Sequence, residues 1–336
     1  MISFKRKPTN IRTNEKGAVL LTTLLLMTVM AALAVAIMDD IRFSVKRTIS
    51  VQTGEQLDWY MRGAESYAEN WLQENGGDDQ AVLTQVIKTG EPIIFPLGKE
   101  GDESMLSIAM SDGRNCFNIN RLAKPKTKQQ TRIAFAKLLQ DLEFDNLEAS
   151  TFAAHIQDWV DADVIPEPGG GEDLTYSNMV PPYHTANTLM VDITELRAID
   201  GIDEENYQRI KPYVCALPTT KKNKLNLNTL DNDDWPLLAS IFGRADDGRK
   251  AAQAVIALRP LAGYESVEAV WALPIVKRLK LKGAGKDMVA VKTDLVNMDI
   301  QVLMDLNGVA HARHQKASFA FGTETGVALV ARRSVH

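Results

Sequence analysis

One stretch limits everything else this chain can fold into. From Ala18 to Met38 run 21 residues without a charge. At about 1.5 Å of rise per residue, a helix of that length covers roughly 30 Å, the thickness of a bilayer's hydrocarbon core. Lys5, Arg6, Lys7, Arg12 and Lys16 precede it with one acid, Glu15, and Asp39 and Asp40 follow it. The positive-inside bias therefore places residues 1–17 in the cytoplasm and everything beyond Asp40 across the membrane.

Three readings fit such a segment. A cleaved secretory signal has an apolar core of only about 7–15 residues, although Ala32-Leu33-Ala34 offers a small-residue site. A plain single-pass anchor explains the length but not the glycine at the entrance. The third is a prepilin-type leader, residues 1–17, cut after Gly17 on the cytoplasmic side so that the helix is kept. Gly17 suits that cut because a residue without a side chain lets a peptidase approach the backbone closely. Ala18 then becomes the N-terminus, and residues 18–38 serve as membrane anchor and later as filament stem. Pilin-like proteins usually carry Glu at the fifth mature position, which here is Thr22. A carboxylate inside a bilayer is costly and is kept only for a partner, so its loss points to a subunit at the tip. Helical spacing continues through Ile41, Val45, Ile49, Leu57, Ala64, Ala68 and Trp71, and Gly76-Gly77 is the expected stop.

The remaining chain is long enough for two ordinary domains. Its net charge of -5 argues against nucleic acid as a partner. "EPIIFPLG" (91–98), "SMLSIAMSD" (104–112), 288–308 and 326–335 read as strands, and 312–322 between the last two has the weakest pattern. Between these strand regions lie segments of helical spacing, with Ser150 and Asp192 as expected N-caps and Gly201 as a stop. The predicted fold is α+β. A pilin-like N-terminal helix over 18–76 packs on a small antiparallel sheet from 77–113 and 286–336, with a large helical domain, 114–285, inserted between the strands.

Asp158, Asp161, Asp163, Glu167, Glu172 and Asp173 put six carboxylates within 16 residues. Asp158 and Asp161 are one helical turn apart, and Pro166 is expected to end that helix. Acids in a last turn oppose the helix dipole unless a cation compensates. Oxygen donors on a Pro/Gly loop suit Ca²⁺, while zinc would want more than His155. A solvated acidic loop is the alternative, and an EF-hand fails because Pro166 stands where its turn needs Gly. Cys116 and Cys215 are the only thiols; across the membrane an even count favours a disulfide over two buried free thiols. Ile193–Val214 resembles a helix-hairpin-helix, but Asp200, Asp203, Glu204 and Glu205 would repel phosphates. No catalytic constellation or small-molecule site stands out among the scattered histidines, so the chain reads as a non-enzyme. The competing reading is a membrane-anchored periplasmic hydrolase using the acidic loop.

"KGAVLL", "CFNINRLA", "IQDWVDADVIPEPGGGED", "PPYHTANTLMVDITELRAIDGI", "YQRIKPYVCALP" and "KLNLNTL" occur in this order. Together they resemble the minor pseudopilin K family of bacterial type II secretion systems. The resemblance implies processing by the prepilin peptidase, methylation, and a periplasmic head on an inner-membrane stem. It implies a tip complex with minor pseudopilins I and J, and H through them, which starts the pseudopilus that exports folded proteins. It also implies calcium, with Asp161, Asp163, Glu172 and Asp173 as side-chain ligands and loop carbonyls and Asn187 completing the shell. Where the family has glycine-alanine before the Glu-Asp pair this chain has Gly170-Gly171, expected to loosen the loop.

Overall fold

The computed structural model describes residues 15–77, 79–98, 104–243, 245–281, 283–306, 309–323 and 326–335. The basic part of the leader, Lys5 to Arg12, lies outside them. The chain divides between Tyr60 and Met61 into two units.

Helix α1 runs from Glu15 to Asn75, just short of Gly76-Gly77. In the first unit every side chain from Ala18 to Met38 is exposed, on a helix long and apolar enough to cross a membrane. Its few hydroxyls are satisfied locally: Thr22, Thr23 and Thr28 donate to the carbonyls of Val19, Leu20 and Leu25 at 2.8–2.9 Å. Thr22 therefore presents no unpaired polar group to lipid.

In the second unit, α1 turns amphipathic. Met61, Ala64, Ala68 and Leu72 recur at three- and four-residue steps and are buried. They meet an antiparallel sheet of β1 (Ile93–Pro96), β2 (Met105–Asp112), β3 (Leu295–Leu306), β4 (Val309–Thr323) and β5 (Gly326–Val335), in that spatial order. Ile108 pairs with Ile300 and Met110 with Met298, and all four are buried, the period-2 pattern of a half-covered sheet. Tyr67 meets Phe95 edge-on at 5.0 Å, and the Glu65 carboxylate is gripped by Arg332 and Gln315. The weakly patterned stretch around 312–322 is the 15-residue β4, flanked by strands on both sides. Helix α2 (Ala81–Thr89) was not foreseen, although Leu83, Val86 and Ile87 stand at three- and four-residue steps and Leu83 is buried.

Between β2 and β3 a separate core runs from Phe117 to Val289. It joins α3 (Lys128–Asp141), α4 (Asn146–Val160), α5 (Asp173–Tyr176), α6 (Glu204–Ile210), α7 (Trp235–Phe242) and α8 (Ala245–Ala257). The hairpin motif is real as a shape. Asp192 caps a 3-10 turn, Ile193–Ala198, through a capping box with Glu195. Gly201 at φ 82° makes the bend against Phe152, and Asp203 caps α6. Its use is packing.

Candidate functional site

The acidic loop hangs from the end of α4, and the start of that helix corrects one expectation. Asp145, not Ser150, is the N-cap: it accepts from the N–H groups of Leu147 and Glu148, and Glu148 reaches back to the Asp145 N–H. Ser150 lies inside the helix and donates to the Leu147 carbonyl. At the other end α4 stops at Val160, with Asp161 as C-cap, well before Pro166. Of the acids, only Asp158 occupies the last turn. Asp161 and Asp163 leave the helix on extended chain.

The loop then folds back. The Glu167 N–H donates to the Asp158 carboxylate at 3.1 Å. A Cβ on Gly170 would fall 2.0 Å from Asp158 Oδ2, so the backbone can pass there only as glycine. Gly171 does not loosen the loop: a Cβ would lie 2.8 Å from Thr175 Oγ1, so the position is already tight. This return brings together three of the four expected ligands. Asp161, Asp163 and Glu172 each place a carboxylate oxygen within 4.8 Å of the others. Asp173 stands outside the trio. It accepts from the Thr185 N–H at 3.0 Å and from its hydroxyl at 2.8 Å, and faces His184 Nδ1 at 3.2 Å.

Two cations that the sequence reading missed come from α3. Lys128 Nζ lies 3.2 Å from oxygens of Asp161, Asp163 and Glu167, and Arg132 donates to Glu167 at 2.6 Å. They stand one turn apart on a helix packed against α4, so their four-residue spacing was the available signal. Burial alone would lower the Lys128 ammonium, but its hydrogen bonds to Asp161, Glu167 and Asp163 outweigh that and raise it.

The charge balance is still incomplete. Burial pushes the Glu172 carboxyl up to about 7, with the Thr185 hydrogen bond opposing and Asp158, Asp161 and Asp163 adding repulsion. Burial also raises Asp158 to about 6, and Asp161 upward despite Lys128. Among the described residues no donor reaches the buried oxygens Asp161 Oδ1, Glu172 Oε1 or Asn187 Oδ1. An unpaired buried acceptor costs on the order of 1–3 kcal/mol. A set of oxygen donors, left acceptor-rich at the point where carboxylates converge, suits a hard cation better than a metal that prefers thiolate or imidazole, such as zinc or copper.

Behind the loop, Cys116 and Cys215 are joined by a disulfide at 2.02 Å. Beside it Phe117 and Asn118 pair with Val214 and Cys215 as a short parallel bridge. Gly17 and Ala18, the expected cleavage pair, lie within the first turns of α1.

Comparison with known proteins gives a consistent picture. The family described as type II secretion system (T2SS), protein K, matches residues 115–219 and 225–292. Type II secretion system protein K of Pectobacterium carotovorum subsp. carotovorum is 31% identical over 300 residues, covering 87% of this chain and 89% of that protein. The Klebsiella pneumoniae protein is 30% identical, covering 90% of this chain and 91% of its own. Among solved structures, a chain in the GspK-GspI-GspJ complex of the enterotoxigenic Escherichia coli type 2 secretion system aligns with a TM-score of 0.72. That alignment has 25% identity and covers 86% of this chain and 99% of the other. With family matches that together cover half of the chain and relatives aligned over nearly their whole length, the chain belongs to the type II secretion system protein K family.

Proposed function

We propose that this minor pseudopilin of type II secretion sits at the tip of the pseudopilus and nucleates it together with the pseudopilins I and J, with H joining through them. The observation that carries the reading is the near-complete alignment with the chain of the GspK-GspI-GspJ complex. In it, α1 is the membrane anchor, with the N-terminus cytoplasmic and the bulk of the chain periplasmic, and the apolar stem packs against sister stems in the bilayer. The prepilin peptidase cuts between Gly17 and Ala18 and the product is methylated. Thr22 then supports the tip position, because its hydroxyl is satisfied by its own helix and it offers no carboxylate to a subunit above. The chain is a structural component and not an enzyme.

The acidic loop holds calcium in this reading. Asp161, Asp163 and Glu172 supply side-chain oxygens and Asn187 a further one; Asp173 sets Thr185, which in turn touches Glu172 at 3.1 Å. The ion would supply the positive charge that Lys128 alone leaves short.

The test is reconstitution of the full chain in neutral detergent with pseudopilins I and J. Co-elution as one ternary species is expected; a chain that elutes alone whatever the partner concentration defeats the proposal. Gly17→Asp is expected to leave the leader uncut, and N-terminal sequencing that still begins at Ala18 would remove the peptidase step.

A further inference from the structure

One cation reaches into the acidic loop from a place where a helix does not favour it. Lys128 is the first residue of α3, and a positive charge in a helix's first turn opposes the dipole. The Thr127 side chain makes no cap hydrogen bond there, and the first turn holds no acid. The start of α3 therefore gains nothing from the ammonium; the loop does. Lys128 Nζ lies 3.2 Å from Asp161 Oδ2, Asp163 Oδ2 and Glu167 Oε1, one carboxylate for each of its three N–H donors. We propose, taking the loop as a calcium site, that Lys128 is a tethered competitor for the ion: its ammonium holds carboxylates that calcium would take, and so sets the loop's affinity low.

The oxygens of the loop are unequally committed. Glu167 serves the frame: its Oε2 accepts from Arg132 at 2.6 Å and its Oε1 from Gln157 Nε2 at 2.6 Å. Asp161 and Glu172 each have one buried oxygen, Oδ1 and Oε1, that no donor among the described residues reaches. Asp163 has no such oxygen, because Oδ1 accepts from the Ile165 N–H at 3.1 Å and Oδ2 from Lys128 at 3.2 Å. An ion that takes Asp161 and Asp163 together must share both carboxylates with the ammonium. Two cations on one carboxylate repel, most strongly where water is kept from screening them, and only 4% of the Asp161 side chain is exposed. The lysine also subtracts one charge from a ligand set whose charge count tunes calcium affinity.

Lysine suits this role. Its charge rides on a flexible four-carbon stem, and 26% of the side chain faces solvent, so the ammonium can withdraw to water as an ion enters. A lysine that only shaped the loop and one that competes predict opposite signs. Loss of the first would loosen the ligands and weaken calcium binding; loss of the second tightens it.

The experiment uses the full chain in neutral detergent, treated with chelator, dialysed and titrated with calcium chloride in a calorimeter. Lys128→Met keeps an apolar stem and removes the charge. It is expected to bind calcium at least about tenfold more tightly than the parent. In chelator it is expected to melt at a lower temperature, because buried carboxylates lose their counter-charge. Lys128→Gln, which keeps a donor, is expected to shift both quantities in the same directions. Lys137→Met makes the same charge change about 13 Å further along α3, beyond a Debye length, and is expected to leave the affinity within about twofold. A cooperative melt in saturating calcium confirms that each variant is folded. Affinity unchanged or weakened in both Lys128 variants overturns the competitor role and leaves the calcium site standing. Equal tightening in Lys137→Met also overturns it, as a general charge effect. If neither the parent nor a Lys128 variant shows calcium heat or a calcium-dependent rise in melting temperature, the calcium site itself falls and the competitor with it.

Discussion

Asp112 and the acidic loop both bury carboxylates, and they do so in opposite ways. Asp112, at the end of β2, is surrounded by donors: Asn226 Nδ2 at 2.9 Å, the hydroxyls of Thr229 and Thr293 at 2.8 Å, and the Arg114 N–H at 2.9 Å. Burial still pushes its carboxyl upward against those four hydrogen bonds, but both oxygens are satisfied. Asp161 and Glu172 are as buried as Asp112, yet each keeps one oxygen without a donor among the described residues. A complete shell makes Asp112 a clasp that ties β2 to the segments at 226–229 and 293. An incomplete shell makes the acidic loop a place that gains by taking something in.

The largest way to break the comparison is to remove the frame shared by both. The Cys116–Cys215 bridge spans a sequence separation of 99 that encloses the whole acidic loop. Replacing both cysteines with Ala is expected to cost about 4–5 kcal/mol in the chain-entropy view, read as a lower denaturant midpoint with a steeper slope, because the unbridged denatured chain exposes more surface. Next comes Asp112→Ala. It strands three side-chain donors and one N–H, and is expected to cost on the order of 3 kcal/mol, while calcium still raises its melting temperature by as much as it raises the parent's. Glu172→Gln should behave in the opposite way: metal-free stability equal to or above the parent, because repulsion is relieved, and no rise in melting temperature with calcium. If both substitutions lowered stability equally and calcium raised neither the parent nor Asp112→Ala, the two sites would be alike and the contrast would vanish.

Titration sharpens the same contrast with a smaller effect. Glu172 at about 7 and Asp158 at about 6 in the fold lie above their ordinary 4.5 and 3.8. The folded chain thus binds more protons than the unfolded chain between about pH 4 and 7, so stability falls as pH rises through that window. Melting temperature of the chelated chain is expected to drop from pH 5 to 8, and calcium should flatten the drop, since the ion takes the place of the protons. A metal-free profile that is flat or rises over this range would show that burial does not raise the loop's carboxylates.

Much of the frame was legible because periodicity reports burial. The three- and four-residue steps from Met61 to Leu72 and the alternation in β2 each follow from one buried face, and the stem's apolar run was legible from its length and lack of charge. What stayed hidden lacked such a face or depended on distant chain. β4 buries Ala317, Phe319 and Phe321 in its second half, while residues 309–316 bury no side chain fully and owe their form to pairing with β3 and β5. Ser150 looked like a cap because the better signal, Asp145 with Glu148 three residues on, lay just upstream in "DNLE". In the acidic loop the residue types were readable. Which carboxylates converge was not, because that is decided by the turn at Gly170 and by Lys128, 33 residues before Asp161.

Asp173 supplies the smallest and most discriminating test. It neighbours Glu172 in sequence and has the same chemistry, so a reading by composition treats the two alike. Geometry separates them: Glu172 turns to Asp161 and Asp163, while Asp173 turns to Thr185 and His184. Asp173→Asn keeps an acceptor for the Thr185 N–H and removes only charge. Its calcium affinity, measured by isothermal titration, is expected to stay within about tenfold of the parent, whereas Glu172→Gln abolishes the binding, as loss of a directly ligating carboxylate should. Thr185 links the two residues, reaching Glu172 at 3.1 Å and Asp173 at 2.8 Å, so some loss through misplacement of Glu172 is consistent with the geometry. Equal and complete loss in both variants would instead make Asp173 a ligand, and the loop would then have to close further around the ion than the trio's present spacing.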